Sequence, residues 1–183
     1  MKRYKYPQKE LWFEICARPT FKQGELENDV KAILNSVKVN GDKALYSYTE
    51  KFDGVKLKEL IVSENEIQQA QYAVSDELKS AIQKAKKNIE IFHLRQKEEK
   101  TPIETSEGVL CWRKNVGIEK VGLYIPGGSA PLFSTVLMLG IPAFLAGCKE
   151  VLLCTPPDKN GEINPAILYT AQLVGVSKIY KIG

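Results

Sequence analysis

The residues best suited to chemistry form one loop, which runs from Tyr124 to Pro131 and reads Tyr-Ile-Pro-Gly-Gly-Ser-Ala-Pro. The adjacent glycines Gly127 and Gly128 allow a sharp turn and the close approach of a ligand phosphate. Ser129 is suited to cap a following helix, whose first N–H groups would favour an anion. Tyr124 can stack on a nucleobase or bind a ribose through its hydroxyl. Because the loop lacks G-x-G-x-x-G, these residues alone leave two interpretations open, a ligand-binding loop or a turn that only allows tight packing.

The other reactive side chains have no evident catalytic partners. His93 is the only histidine of the chain, so a packing role on its helix is favoured over metal binding. Cys148 and Cys154 would need a base or a lowered pKa to act as nucleophiles, and the sequence indicates neither. They are therefore interpreted as structural thiols, which often behave as small apolar residues. Three lysines are typical of a solvated helix face: Lys84, Lys86 and Lys87.

Alternating strands and helices are predicted to position the loop. An apolar run from Val121 to Ile125 leads into it, and a helix over 133–146 follows and ends at Gly147. Further strands are predicted at 151–154 and 177–182, separated by a helix that begins at Asn164 and Pro165. This alternation predicts a parallel sheet with crossover helices, and such sheets bind ligands just beyond the carboxyl ends of their strands.

The part of the chain before the sheet is predicted to be helical. Apolar residues recur at helical spacing from Leu26 to Val37, and a second helix is expected over 42–52. Ser63 and Glu66 form the sequence pattern of a capping box. Ser75 is predicted to begin the longest helix, which carries an apolar face as far as Phe92.

Composition divides the chain near Glu107. Residues 1–107 hold 19 Lys and Arg and 18 Asp and Glu but 3 glycines, whereas residues 108–183 hold 7, 4 and 10. We therefore predict a helical region at 1–107 and a partial Rossmann-like α/β domain at 108–183.

Charge and cysteine usage narrow the class of protein. The net charge of +4 is spread along the chain, so neither a nucleic-acid nor a membrane partner is expected. Glycines and prolines interrupt the apolar stretch 121–148, which predicts buried structure and not a membrane span. The four cysteines form no C-x-x-C pair and no signal peptide is evident, so a cytoplasmic location is expected.

The loop and its surroundings also resemble a known family, histidinol dehydrogenase. The resemblance is carried by the segments 121–139, Ile141-Pro-Ala143, Ala146-Gly-Cys148 and Leu153-Cys-Thr-Pro-Pro157. Weaker similarity extends upstream, through Lys51-Phe52-Asp53 among others, and downstream to Gly183, so it covers the whole chain. The clearest departure is Val116-Gly117, where the family usually has Arg-Pro.

This resemblance implies a zinc-dependent enzyme that uses NAD to oxidise L-histidinol through the aldehyde to L-histidine, as a cytoplasmic homodimer. It implies a fold similar to the aldehyde dehydrogenase type, with paired Rossmann-like domains. Tyr124 matches the NAD-contacting tyrosine of the family, and Pro126, Gly127 and Gly128 match the adjoining loop.

The resemblance also implies that the family's zinc ligands and its Glu-His acid/base pair lie beyond Gly183. We therefore expect no catalytic or metal-ligating residue in these 183 residues, and no activity of the chain alone. Two interpretations remain: the amino-terminal portion of such an enzyme, or a stand-alone non-catalytic binding or assembly module. In the first, a sheet that stops after its third parallel strand is expected to leave an open edge.

Overall fold

The structure, a computed structural model, describes residues 3–18, 23–97, 100–128 and 130–183. The chain forms two compact units, residues 1–41 and 42–183. The first unit contains a 3-10 turn at Lys9–Leu11 and the helices α1 (Trp12–Cys16) and α2 (Gln23–Asn40). The compositional boundary predicted between Glu107 and Gly108 lies inside the second unit, because helices on its two sides pack against each other.

The second unit begins with three helices: α3 (Asp42–Phe52), α4 (Glu64–Ala73) and α5 (Asp76–Leu94). The capping box predicted at the start of α4 is confirmed, since the Glu66 N–H donates to Ser63 Oγ and the Ser63 N–H donates to Glu66 Oε2. Ser75 caps α5 in a similar way by accepting from the Leu78 N–H. These start signals place both helices where the sequence predicts them.

A three-stranded parallel sheet carries the predicted loop. Its strands are β3 (Lys120–Tyr124), β4 (Glu150–Thr155) and β5 (Lys178–Lys181), arranged side by side in that order. Helix α6 (Phe133–Leu145) connects β3 to β4, and α7 (Pro165–Leu173) connects β4 to β5. The predicted parallel α/β arrangement is confirmed, whereas the aldehyde dehydrogenase-type fold stays a prediction.

The helices form two layers on one face of the sheet. Helices α6 and α7 pack against each other, while α5 packs on α6 and α4 packs on α7. Alternate strand residues such as Leu153 and Ile179 point into this core and are almost fully buried. Within the described residues, the remaining strand side chains lie on a face that is at most half-buried, and we call it the open face.

One edge of the sheet is covered by another segment of the chain. The sequence predicts instead that a sheet ending with its third parallel strand leaves this edge open. Residues 60–62 run antiparallel to β5: the Lys181 N–H donates to the Leu60 carbonyl at 2.7 Å, and the Val62 N–H donates to the Ile179 carbonyl at 2.9 Å. The sequence does not indicate this pairing because the segment is too short to show an alternating pattern. The edge strand therefore comes from the region between α3 and α4.

An antiparallel pair of strands precedes the sheet. Strands β1 (Ile103–Ser106) and β2 (Val109–Cys111) form a hairpin whose residues are all exposed. The chain then passes Gly117, where a Cβ would lie 2.2 Å from the Ala146 carbonyl oxygen. The glycine that departs from the family's usual proline thus allows the backbone before β3 to contact the end of α6.

Candidate functional site

Tyr124 is the last residue of β3 and lies at the carboxyl edge of the sheet. Its side chain is 51% exposed, and strand alternation puts it on the open face, opposite the helices. The next residue, Ile125, is fully buried, and its N–H donates to the Cys154 carbonyl at 3.0 Å. The end of β3, followed by the buried Ile125, therefore presents an accessible phenol ring at the edge where parallel sheets bind ligands.

Gly127 packs directly on Pro156, which follows β4. A Cβ on Gly127 would lie 2.7 Å from Pro156 Cγ, a distance that side chains do not tolerate. Around Gly128, by contrast, no described atom lies within 4 Å of a Cβ placed there. Neither glycine has a φ in the left-handed region, so the loop needs Gly127 for close approach and not for an unusual backbone conformation.

The start of α6 faces this loop without a side-chain cap. Its N-cap residue is Leu132, which makes no side-chain hydrogen bond to the helix. The sequence prediction of Ser129 as the cap was therefore wrong about the position of the helix start, and Ser129 itself lies outside the described residues. An uncapped first turn leaves N–H groups available to an anionic ligand.

A cavity of about 270 Å³ lies beside the loop at the ends of β3 and β4. Its wall includes Pro126, Gly127, Gly128 and Leu132. Asp158 and Glu162 also line it, and Asp158 Oδ1 accepts from the N–H groups of Asn160 and Glu162 at 2.8 and 3.0 Å. Tyr124 does not line this cavity, so the structure brings the loop and the helix start together and leaves the tyrosine on the open face.

Cys154 stands between Tyr124 and Tyr180 in the register of the sheet. Burial raises the pKa of its thiol, so the group stays protonated at neutral pH and is not a ready nucleophile. Cys148 is half-buried beyond α6. The structural role of the two thiols stays a prediction.

His93 lies in the last turn of α5, away from the loop. Its Nδ1 is 2.7 Å from Gln96 Oε1, and its ring meets Phe92 edge-on. Of the three lysines predicted on this helix face, Lys86 is half-buried and pairs with Glu90 at 3.8 Å, whereas Lys84 and Lys87 are exposed.

Asp53 also reaches the carboxyl edge of the sheet, a position that the sequence does not predict. Both of its carboxylate oxygens lie 3.1 Å from the position of a Cβ on Gly183, the last residue after β5. Pro156 contacts the same position at 2.9 Å. The only available signal was the Lys51-Phe52-Asp53 motif, which does not indicate that the residue after α3 meets the end of β5.

None of the helices in the described ranges is both long and apolar enough to cross a membrane. No group of three or more His, Cys, Asp and Glu side chains there is close enough to hold a metal ion.

The fold and the loop define an α/β protein with a glycine-containing loop at the carboxyl edge of its parallel sheet. The sequence model for histidinol dehydrogenase matches residues 16–183. The chain is 59% identical over 183 residues to the histidinol dehydrogenase of Bacteroides thetaiotaomicron, covering 100% of this chain and 43% of that protein. It is 55% identical over 160 residues to that of Mannheimia succiniciproducens, covering 87% of this chain and 36% of that protein.

A solved structure gives the same result. The crystal structure of histidinol dehydrogenase from Elizabethkingia anophelis superimposes with a TM-score of 0.90 at 57% identity, covering 97% of this chain and 41% of that one. The chain belongs to the histidinol dehydrogenase family, and it corresponds to the amino-terminal part of these relatives, about two fifths of their length.

Proposed function

We propose that this chain is the NAD-binding edge of an enzyme that oxidises L-histidinol to L-histidine through histidinal. Family membership supports the reaction, because the relatives carry the name of that activity. The single observation that carries the proposal is the exposed ring of Tyr124 at the carboxyl end of β3, next to a loop that approaches Pro156 through Gly127.

The residues present fit two parts of a dinucleotide, a phosphate and a base. The uncapped first turn of α6 offers N–H groups to a phosphate, and the missing side chain of Gly127 keeps the loop close to Pro156. The ring of Tyr124 offers a stacking surface for a planar base. Asp158 and Glu162 also line the cavity and would disfavour a phosphate beside them. When bound, NAD accepts the hydride of each oxidation.

Zinc is the second group that the family implies, and the described residues do not fit it. His93 is bonded to Gln96 on α5 and has no further candidate ligand in a cluster around it. We therefore assign no step involving the metal to these residues and propose that its ligands lie in the remainder of the full-length enzyme. A homodimer and a cytoplasmic location are proposed on the same family grounds.

The proposal is tested by comparing the 183-residue chain with a chimera that joins it to the remainder of the E. anophelis enzyme. With histidinol, NAD and zinc, the chimera is expected to form NADH, while the chain alone should be at least about 10³-fold slower because it lacks an acid/base pair. Comparable turnover by the purified chain, free of full-length enzyme, would contradict the assignment of catalysis to the missing part. An inactive but folded chimera would favour the stand-alone binding module.

A further inference from the structure

One row of side chains crosses the open face at the carboxyl edge of the sheet. The register pairs Tyr124 with Cys154 and Cys154 with Tyr180, so the thiol stands between two tyrosines. Ile61, from the antiparallel segment that covers the edge, pairs with Tyr180. Four neighbouring segments of the chain therefore bring these residues to the edge where parallel sheets bind ligands.

Strand alternation puts the whole row on the face opposite the helices. Cys154 and Tyr180 are half-buried, whereas Tyr124 is 51% exposed and Ile61 41% exposed. The residues that flank the row along β4, β5 and the edge segment are all buried: Leu153, Thr155, Ile179, Lys181, Leu60 and Val62. The row is therefore reached from the open face and does not belong to the core under the helices.

The two tyrosines are separated by one strand that carries a short side chain. Neighbouring strands lie about 4.8 Å apart, so the Cα atoms of Tyr124 and Tyr180 are about 10 Å apart. A planar group stacked between two rings needs about 7–8 Å between them, twice the contact distance of carbon atoms. Among the described residues, neither tyrosine ring contacts another aromatic ring. The row thus has the dimensions of a slot for one planar ring, with Cys154 as its floor.

The chemistry of the slot suits an aromatic ligand. Tyrosine, cysteine and isoleucine side chains carry no charge at neutral pH, so the row presents apolar surface and two π systems. An aromatic residue and a β-branched residue in a cross-strand pair stabilise each other. Ile61 therefore supports Tyr180 on the side away from the slot and restrains one of its walls.

We propose that Tyr124 and Tyr180 together clamp a planar heteroaromatic ring of the dinucleotide, adenine or nicotinamide, over Cys154. The proposal rests on the proposed function and adds Tyr180 to the NAD site as a binding residue. The loop that follows Tyr124 leads to the uncapped first turn of α6. The ring position and the phosphate position are thus joined by one short loop, as a single ligand requires.

The test is a double-mutant cycle on NADH binding. Dissociation constants are measured by cofactor fluorescence in the chimera with the E. anophelis remainder, for Tyr124→Leu, Tyr180→Leu and the double variant. Each single variant should weaken binding about tenfold, a loss typical of one stacking ring. Rings that hold the same base are coupled, so the double variant should lose about 20-fold and not the roughly 100-fold of independent sites.

Competition by AMP and by NMN identifies the ring, because only the mononucleotide that fills the slot should bind more weakly to Tyr180→Leu. Tyr72→Leu makes the same substitution at a tyrosine that is 90% exposed on α4, and it should leave the NADH dissociation constant unchanged. If Tyr180→Leu does not fold, Cys154→Leu provides a second variant. Its longer side chain fills the slot and should weaken NADH binding about tenfold while both rings remain.

A purely structural role for the row gives a different result. Parallel sheets are usually covered on both faces, and in that case Tyr180→Leu would lower the melting temperature of the chimera without changing the NADH dissociation constant. That result, independent losses in the double variant, or unchanged binding of both AMP and NMN would overturn the clamp and leave the proposed function intact. A folded chimera that does not bind NADH, or binds it equally well as Tyr124→Leu, would contradict the proposed function and the clamp together.

Discussion

Glu66→Ala is expected to lower the free energy of unfolding of the chain by about 2–4 kcal/mol, because it leaves the Lys181 ammonium buried without a partner. Lys181 is 9% exposed, and its Nζ lies 2.6 Å from Glu66 Oε1. The other carboxylate oxygen accepts from the backbone and the hydroxyl of Ser63. One residue therefore ties the start of α4 to the end of β5, and urea unfolding at pH 7 measures its loss.

The Glu66–Lys181 ion pair also predicts that the stability of the chain depends on pH in the acid range. Burial raises the pKa of Glu66, but hydrogen bonds from Lys181 and Ser63 outweigh it and hold the pKa below its ordinary value of 4.5. A group whose folded pKa is lowered contributes stability above its unfolded pKa, and that contribution is lost as the pH falls through the folded value. The difference between wild type and Glu66→Ala should therefore shrink below about pH 4.5.

Two variants separate the ion pair from other effects. Glu64→Ala removes an exposed first-turn acid of α4 and should cost no more than about 0.5 kcal/mol. Glu66→Gln combined with Lys181→Met removes both charges and should be more stable than Glu66→Ala. Equal losses in Glu64→Ala and Glu66→Ala would show that the pair does not stabilise the chain.

Gly127→Ala is expected to destabilise the loop, whereas Gly128→Ala is expected to be tolerated. The added methyl group at position 127 would lie 2.7 Å from Pro156 Cγ, while at position 128 no described atom lies within 4 Å. Overpacking of this kind costs about 1–3 kcal/mol, and an exposed substitution about 0.5 kcal/mol or less. Thermal unfolding of the two single variants measures both effects.

The two glycines also separate two explanations of the loop. If the backbone conformation were the reason for the glycines, both alanine variants would be strained and would lose stability together. Because neither glycine has a φ in the left-handed region, only contact with Pro156 distinguishes them. Equal melting temperatures for the two variants would contradict the role assigned to that contact.

Much of the local structure could be predicted from the sequence because its signals are local. Ser63 with Glu66, and Asn164 with Pro165, are start signals that act within one helical turn, and both helices begin there. The apolar run from Val121 to Ile125 likewise predicts a strand, which is β3, although no side chain of β3 is fully buried. The family could be predicted because the loop and its flanking helix form one long specific pattern.

What could not be predicted depends on contacts between distant segments. The pairing of residues 60–62 with β5, the Glu66–Lys181 ion pair and the approach of Asp53 to Gly183 each join positions more than 100 residues apart. No sequence periodicity records such contacts. The prediction of Ser129 as the cap of α6 failed for a related reason, because proline and leucine residues extend the loop to Leu132 before the helix begins.

Tyr124→Ala, in the chimera with the E. anophelis remainder, is the most direct test of the claim that this chain supplies the NAD-binding edge of a histidinol dehydrogenase. Loss of a stacking ring should raise the KM for NAD about tenfold while the KM for histidinol and the zinc content stay unchanged. Tyr72→Ala, which removes a tyrosine that is 90% exposed on α4, is the matched control and should alter neither KM. An NAD KM in Tyr124→Ala equal to that of the control would contradict the claim and leave the loop as a turn that packs strand against helix.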